Sequence, residues 1–302
     1  MVATLAGLTD AIHDSRIVND TDRIELEANG MIVNPRTDED LRSFLQKLAE
    51  TNQKTMTVDV KSELKVFSEF RMEEVCALYG LGYDTANPLS QFPEFQYKDD
   101  HIDDELLSYL MQELNSRTAL TPAAEALEAH HSIYVYCILH AVAKHAIAKH
   151  AIEKSPTLEL VVLAERYVEG TKAKGRVDYS IEIRGGEILG VTEVKKENYI
   201  LGIAQNAMQI RSALESNKKR KLGIDKRCFG IATNAEQWYF LQYTPGQIPM
   251  ISKPIYAMYE GKFLSDKVKK IAGILSWLLK VVSEDTEPQQ KRLKLDNSSV
   301  RL

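Results

Sequence analysis

The chain reads as an α/β domain with a mixed sheet flanked by helices, preceded by a helix-rich N-terminal region. Strand patterning, rich in Val, Ile and Leu, begins only after Pro156. Apolar residues at helical spacing precede it, and recur between and after the strands. The resulting order of helix, three strands, helix and strand is that of an α/β domain. The expected division is a helical region over residues 1–118, the α/β domain over 119–283, and a polar, aperiodic, disordered tail over 284–302.

Composition supports a folded chain. The 302 residues are 44% hydrophobic and 27% charged, enough for one large core or two modest ones. The net charge of -5 hides an asymmetry: residues 171–227 hold thirteen Lys/Arg against seven Asp/Glu. A basic working surface on an acidic body fits that distribution. Cys76, Cys137 and Cys228 form no CxxC pair, which argues against a zinc site or disulfide framework and suits a reduced intracellular setting. Neither a secretory leader nor a membrane span is expected, for lack of an early apolar run and of any long one.

The elements follow in order. Asp38 to Asn52 is amphipathic, with Leu41, Phe44, Leu45 and Leu48 on one face. Glu63 to Tyr79 is a second helix candidate, and Asp84 to Asp100 reads as a loop. The acids Asp99, Asp100, Asp103, Asp104 and Glu105 suit the positive start of a helix over Leu106–Leu114 better than a cation site. Thr121 and Pro122 resemble a cap and first helical residue of a long helix reaching about Lys154. Its His140, His145 and His150 turn by about 140° at each step, so they cannot converge on one metal. Strands are expected over Leu158–Val168, Arg176–Ile183, Ile188–Lys196, Cys228–Thr233 and Gln237–Tyr243. Helices are expected over Tyr199–Glu215 and Ser265–Val282.

The chemistry concentrates in the hairpin. Gly185-Gly186 signals a two-residue type I′ turn, whose central residues need φ > 0. That turn sets Arg184 opposite Glu187, Glu182 opposite Leu189, Ser180 opposite Val191 and Asp178 opposite Glu193. Alternation then gives an apolar core face of Val177, Tyr179, Ile181 and Ile183, and a polar face of Arg176, Asp178, Ser180 and Glu182 opposite Glu193 and Lys195. Two carboxylates directly opposite repel, and a hard divalent cation offsets that repulsion. Lys195 on the same face can hold a phosphate oxygen or orient a water. Such a face is also what a solvated sheet surface looks like.

Asp178 followed, after a turn, by Glu193-Val194-Lys195 resembles the Asp…Glu-X-Lys signature of the PD-(D/E)XK, restriction-endonuclease-like nuclease superfamily. Val177 stands where the name-giving proline falls. Over about Thr121–Val282 the chain is also similar to the C-terminal nuclease-like domains of Crinkler-type proteins. The resemblance implies a restriction-endonuclease-like sheet, Asp178 and Glu193 as ligands of Mg²⁺ or Mn²⁺, and Lys195 serving the attacking water and the phosphate. It further implies an acid from the preceding helix, Glu125 or Glu128, at the metal, and Gln205 near the phosphate. By helical periodicity Gln205 and Gln209 face either a substrate groove or bulk water. No Gly-x4-Gly-Lys-Ser/Thr run is present, so nucleotide hydrolysis has no support.

Lys172, Lys174, Arg176, Lys196, Lys218, Lys219, Arg220 and Lys221 are the candidate contacts to a nucleic-acid backbone. The last four read equally as an import signal or a solvated helix end. Lys291, Arg292 and Lys294, after Pro288, resemble a short nuclear import signal for an import receptor. The expected activity is Mg²⁺-dependent hydrolysis of phosphodiester bonds in DNA, in the nucleus and away from membranes. The alternatives are a catalytically silent nuclease-fold module that binds nucleic acid or a nuclear protein, and a helical regulatory or structural protein with a merely amphipathic hairpin.

Overall fold

The Val- and Ile-rich stretches after Pro156 form the sheet that their patterning predicts. The computed structural model describes residues 23–28, 31–35, 37–51, 57–61, 64–121, 127–153, 159–219 and 227–298. It divides into two units, Met1–Leu64 and Lys65–Leu302.

The first unit holds strands β1 (Arg23–Ala28), β2 (Met31–Val33) and β3 (Thr57–Lys61) in an antiparallel sheet of order β2-β1-β3, with helix α1 (Asp38–Glu50). Helix α1 starts with a reciprocal cap: Asp40 N donates to Thr37 Oγ1, and Thr37 N donates to Asp40 Oδ2. Leu41, Phe44 and Leu48 are its buried stripe, as expected. The strands were not expected. Arg23–Ala28 alternates polar and apolar residues, and Leu26 and Ala28 are buried while Glu27 is exposed, but the run is short.

The second unit opens with β4 (Lys65–Val66), a 3-10 turn (Phe67–Glu69), α2 (Met72–Leu78), α3 (Asp104–Leu120) and α4 (Glu128–Glu153). Then come β5 (Leu160–Glu169), β6 (Ala173–Ile183), β7 (Glu187–Val194), α5 (Tyr199–Lys219), β8 (Cys228–Thr233) and β9 (Gln237–Tyr243). The two-residue strands β10 (Met250–Ile251), β11 (Ile255–Tyr256), β12 (Met258–Tyr259) and β13 (Lys262–Phe263) lead into α6 (Ser265–Ser298). The sheet runs β10-β9-β8-β7-β6-β4, with β5 also on β6 and β11 also on β9. It is mixed: β7 and β8 are parallel, as are β4 and β6, and the other pairs are antiparallel. Helix α5 makes the crossover that a parallel pair requires.

Both faces of this sheet are buried. On one, Tyr179, Ile181, Leu189, Phe229 and Phe240 pack with Leu110 of α3, Ile138 of α4 and Leu275 of α6. On the other, Ile188, Val191, Ala232 and Leu241 pack with Ile203, Ala207 and Ile210 of α5. The hairpin's polar face is therefore covered by a helix. Ser180, Glu182 and Glu193 are buried, which sets aside a hairpin with one face in water.

Several expectations shift. Phe67, Phe70, Val75 and Cys76 share the α5-side core, so the chain from Lys65 to residue 118 is part of the α/β unit and the division falls at Leu64. The helix expected over Glu63–Tyr79 is broken by extended backbone at Phe70, with ψ of 135°. Thr121 ends α3 as its C-cap instead of starting the next helix. Asp103 is the N-cap of α3, its carboxylate accepting from Leu106 N at 2.7 Å, so the acidic run does serve a helix start. Helix α6 continues to Ser298 through the stretch expected to be disordered; its Glu, Gln, Lys, Arg and Leu residues are good helix formers.

The turn also differs. Ile183 pairs with Glu187, and Gly186 N donates to Ile183 O at 2.9 Å, so Arg184-Gly185-Gly186 is a three-residue loop. Gly185 and Gly186 take φ of 115° and 94°, which glycine allows freely. A bulge between Ile181 and Glu182 returns the pairing to Ile181–Gly190, Ser180–Val191 and Tyr179–Thr192. Two one-residue departures cancel, so the rungs from Ile181 to Tyr179 keep the register of the simple turn, and beyond them Asp178 Oδ2 accepts from Val194 N.

Gly230 of β8 seats α5. A Cβ there would stand 2.0 Å from Asn206 Oδ1 and 2.8 Å from Ile210 Cγ2. Gly230→Ala is expected to cost about 1–3 kcal/mol, read as a lower midpoint in thermal unfolding. An unchanged midpoint would mean that α5 does not lie this close.

Candidate functional site

The site forms where β6, β7, α4 and α5 meet. Asp178 of β6 is half-buried, and its Oδ2 accepts from Val194 N at 2.6 Å. Glu193, on β7, is buried against α5. Its Oε1 lies 2.9 Å from Lys195 Nζ, and its Oε2 accepts from Gln209 Nε2 at 2.5 Å. Lys195 extends β7 by one rung, its N donating to Thr233 O at 2.9 Å. Glu128, at the start of α4, reaches Lys195 Nζ at 3.6 Å and accepts from Lys196 N at 3.4 Å.

The first turn of α4 is held in place by two ties. His131 Nδ1 pairs with Asn234 O. Tyr179 Oη donates to Ser132 O at 3.0 Å and lies 2.8 Å from Ser132 Oγ. These fix the helix end from which Glu128 projects.

The electrostatics are those of a crowded acid pair with one cation. Burial pushes Asp178 from its ordinary 3.8 up to about 7, and the neighbouring Glu193 adds to the rise. Burial also raises Glu193, against the opposing pull of Lys195 and Gln209. Burial alone would lower Lys195, but Glu193, Glu128 and Asp178 together hold it above its usual value. Lys195 is thus an ammonium at neutral pH, suited to a negative oxygen.

Among the described residues no group of three or more His, Cys, Asp or Glu side chains converges as a metal cage. Mg²⁺ takes one or two carboxylates and completes its shell with waters and phosphate oxygens. Asp178 and Glu193 fit such an ion, because a divalent charge restores both to the ionised form that burial disfavours.

The expected residues divide. Asp178, Glu193, Lys195 and Glu128 come together. Glu125 lies outside the described residues. Gln205, expected near the phosphate, donates through Nε2 to Ser68 O at 3.3 Å, and it is Gln209 that bonds the Glu193 carboxylate. Neither glutamine faces water, since both are buried under the sheet. Asn206, between them in sequence, donates to Val191 O at 3.2 Å and to Gln209 Oε1 at 3.2 Å, orienting that amide. The signal for this pair is the polar trio 205, 206 and 209 inside the otherwise apolar stretch Ile200–Ile210.

The basic residues are more scattered. Lys196 adjoins the site, Lys172 and Lys174 are half-buried, and Arg176 is exposed with Nη1 donating to Glu165 O at 3.0 Å. Lys218 and Lys219 end α5, where Lys219 Nζ donates to Gly170 O at 3.4 Å. They lie nine and ten residues past Gln209 in sequence, roughly 14–15 Å along the helix, and so outside the carboxylate cluster. Arg220 and Lys221 lie outside the described residues, as do the side chains of Lys291, Arg292 and Lys294. No described helix is long and apolar enough to cross a membrane.

Fold and site together define an α/β protein with paired acids and a lysine at a strand-to-helix junction. The chain is 31% identical over 292 residues to Crinkler effector protein 1 of Rhizophagus irregularis, a match that covers 92% of this chain and 60% of that protein. That similarity supports a Crinkler-like relationship, with this chain spanning 60% of the relative's length. No family model matches the chain.

The raised Asp178 links stability to pH. A folded-state value near 7, above the unfolded 3.8, favours folding below pH about 4, and this contribution is lost as pH rises through about 7. Asp178→Asn, without added metal, should therefore leave stability nearly unchanged at pH 4 and raise it at pH 8, on the order of 1–2 kcal/mol. Denaturant unfolding at the two pH values is the check, and a loss of stability at pH 8 would reject the buried-charge account.

Proposed function

We propose that the chain is an effector-related protein whose second unit hydrolyses phosphodiester bonds of nucleic acid, DNA in the first instance, with Mg²⁺ or Mn²⁺. The observation that carries this reading is the meeting of buried Glu193 with half-buried Asp178 and Lys195, with Lys195 Nζ 2.9 Å from Glu193 Oε1. The effector-related role is carried over from the relative's name. The succession β6, β7, α5, β8, with β7 and β8 parallel, supports a restriction-endonuclease-like fold of the PD-(D/E)XK kind.

In this reading Asp178 and Glu193 would hold the ion, with Glu128 the next carboxylate beside Lys195. The ion, when bound, would polarise a phosphoryl oxygen and acidify a water. Lys195 stays protonated among its acids and stabilises charge building on the phosphate. Gln209 fixes the Glu193 carboxylate in the orientation that serves both partners. The half-buried lysines Lys172, Lys174 and Lys196 would contact the backbone without reading sequence.

Nicking of plasmid DNA with Mg²⁺, and its loss on chelation, tests the proposal. Asp178→Ala, Glu193→Ala and Lys195→Ala should each lower it roughly a hundredfold or more, while the proteins stay folded. Gln209→Ala should lower it roughly tenfold, and Gln205→Ala should change it little. Full activity in Asp178→Ala would overturn the assignment. A second reading, a catalytically silent module that binds nucleic acid or a nuclear protein, draws on Glu193, whose two oxygens are already engaged by Lys195 and Gln209. DNA binding without Mg²⁺-dependent nicking would select it.

We further propose nuclear import through Lys291, Arg292 and Lys294. A fluorescent fusion of the chain should concentrate in nuclei, and changing the three residues to Ala should even out its distribution. Nuclear concentration of the triple variant would assign accumulation to another cause.

A further inference from the structure

Where β7 gives way to α5, the chain presents an aromatic surface that the hydrolytic reading leaves unused. Tyr199, the first residue of α5, is 48% exposed, while Tyr239 of β9 behind it is buried. The two rings stack with centroids 5.6 Å apart and planes 11° from parallel. Gln237 Nε2 secures the backing ring, donating to Tyr239 Oη at 2.8 Å and lying 3.4 Å from Tyr256 Oη. One face of Tyr199 is thus covered and its orientation set, so a further planar group could add without first ordering the ring.

This ledge adjoins the acids and the lysine. The Lys195 stem passes 3.3 Å from where a Cβ on Gly202 would stand. Gly202 is three residues past Tyr199, roughly 4.5 Å along the helix axis. Lys196 follows directly, and Asn198 caps the helix by accepting from Leu201 N at 3.1 Å. A phosphate at Lys195 would therefore have a flat aromatic surface within about one nucleotide's reach.

We propose that Tyr199, backed by Tyr239, stacks an unpaired base of a single-stranded nucleic acid whose neighbouring phosphate lies at Lys195. The inference rests on reading Asp178, Glu193 and Lys195 as a phosphodiester site. Bases within a duplex already stack on their neighbours and offer no free face. A single tyrosine ledge therefore selects an unpaired strand and tolerates any base.

Fluorescence anisotropy of labelled oligo-dT and of a duplex of equal length, measured on the full chain carrying Asp178→Asn, tests the ledge. Adding Tyr199→Ala should weaken oligo-dT binding about five- to a hundredfold and leave the duplex unchanged, whereas Tyr199→Phe should keep the parent affinity. In Tyr199→Trp, oligo-dT should quench the new indole, a readout independent of affinity. An Ala variant that binds like the parent, an equal loss on the duplex, or an unquenched Trp would each overturn the proposal. Binding of neither probe by the parent overturns it too, and would give the ledge to a protein partner. Plasmid nicking by the chain with Asp178 intact separates the two readings. Nicking with a silent Tyr199→Ala removes only the ledge, and the stacking pattern without nicking removes only the hydrolysis.

Discussion

Helix α5 lying flat on the sheet is the contact from which the site follows. Gly230 leaves room for Asn206 and Ile210, and Asn206 then anchors on Val191 O and steadies Gln209. The same contact removes Glu193 from water. A buried carboxylate costs several kcal/mol unless it is paired and hydrogen-bonded, and Lys195 and Gln209 supply that compensation. Asp178 receives a backbone N–H and the distant pull of Lys195, and burial with the neighbouring Glu193 outweighs both, pushing its pKa up to about 7. The sheet, the helix and the altered acidity are thus one arrangement seen at three scales.

Position in the topology adds to this. The acids and the lysine stand at the C-terminal end of β7, beside a parallel partner and at the start of the crossover helix. Open α/β sheets place ligand sites outside the carboxyl ends of parallel strands, where chain connections diverge and leave a crevice. The positive end of α5 lies at that edge. An anion approaching it meets the helix start, Lys195 and Lys196 before it meets the buried acids.

Much of this was legible in the residues. Strands β8 and β9 run end to end as their Ile, Leu and aromatic content suggests, and Leu41, Phe44 and Leu48 were readable from period alone. Asp178, Glu193 and Lys195 were readable from alternation along the hairpin on the far side of its bulge, whereas Glu128 was one of two candidate acids, with Glu125, that only the resemblance suggested. The choice of Gln209 over Gln205 was not readable: residues four apart share a helix face, and only the angle at which α5 crosses the sheet separates them. The strands of the first unit were missed because six alternating residues carry little signal. The helical pattern over 63–79 failed at Phe70, whose packing with Phe67 and Cys76 overrides local preference. Tyr199 was read only as the start of a helix, since its backing ring lies forty residues further on in sequence.

The three-residue loop and the bulge of the β6–β7 hairpin bear on how related chains should be compared. Pairing near the tip and pairing near the acids obey different offsets, joined at Leu189, the residue left without its own partner. The bulge works as a phase corrector: it isolates the orientation of Asp178 and Glu193 from the length of the tip. A relative with one residue fewer in its turn and no bulge keeps the same two side chains face to face. Counting residues between the aspartate and the glutamate is therefore a poor guide to whether such a chain has kept the pair. The parity of the rungs next to the acids is the better one.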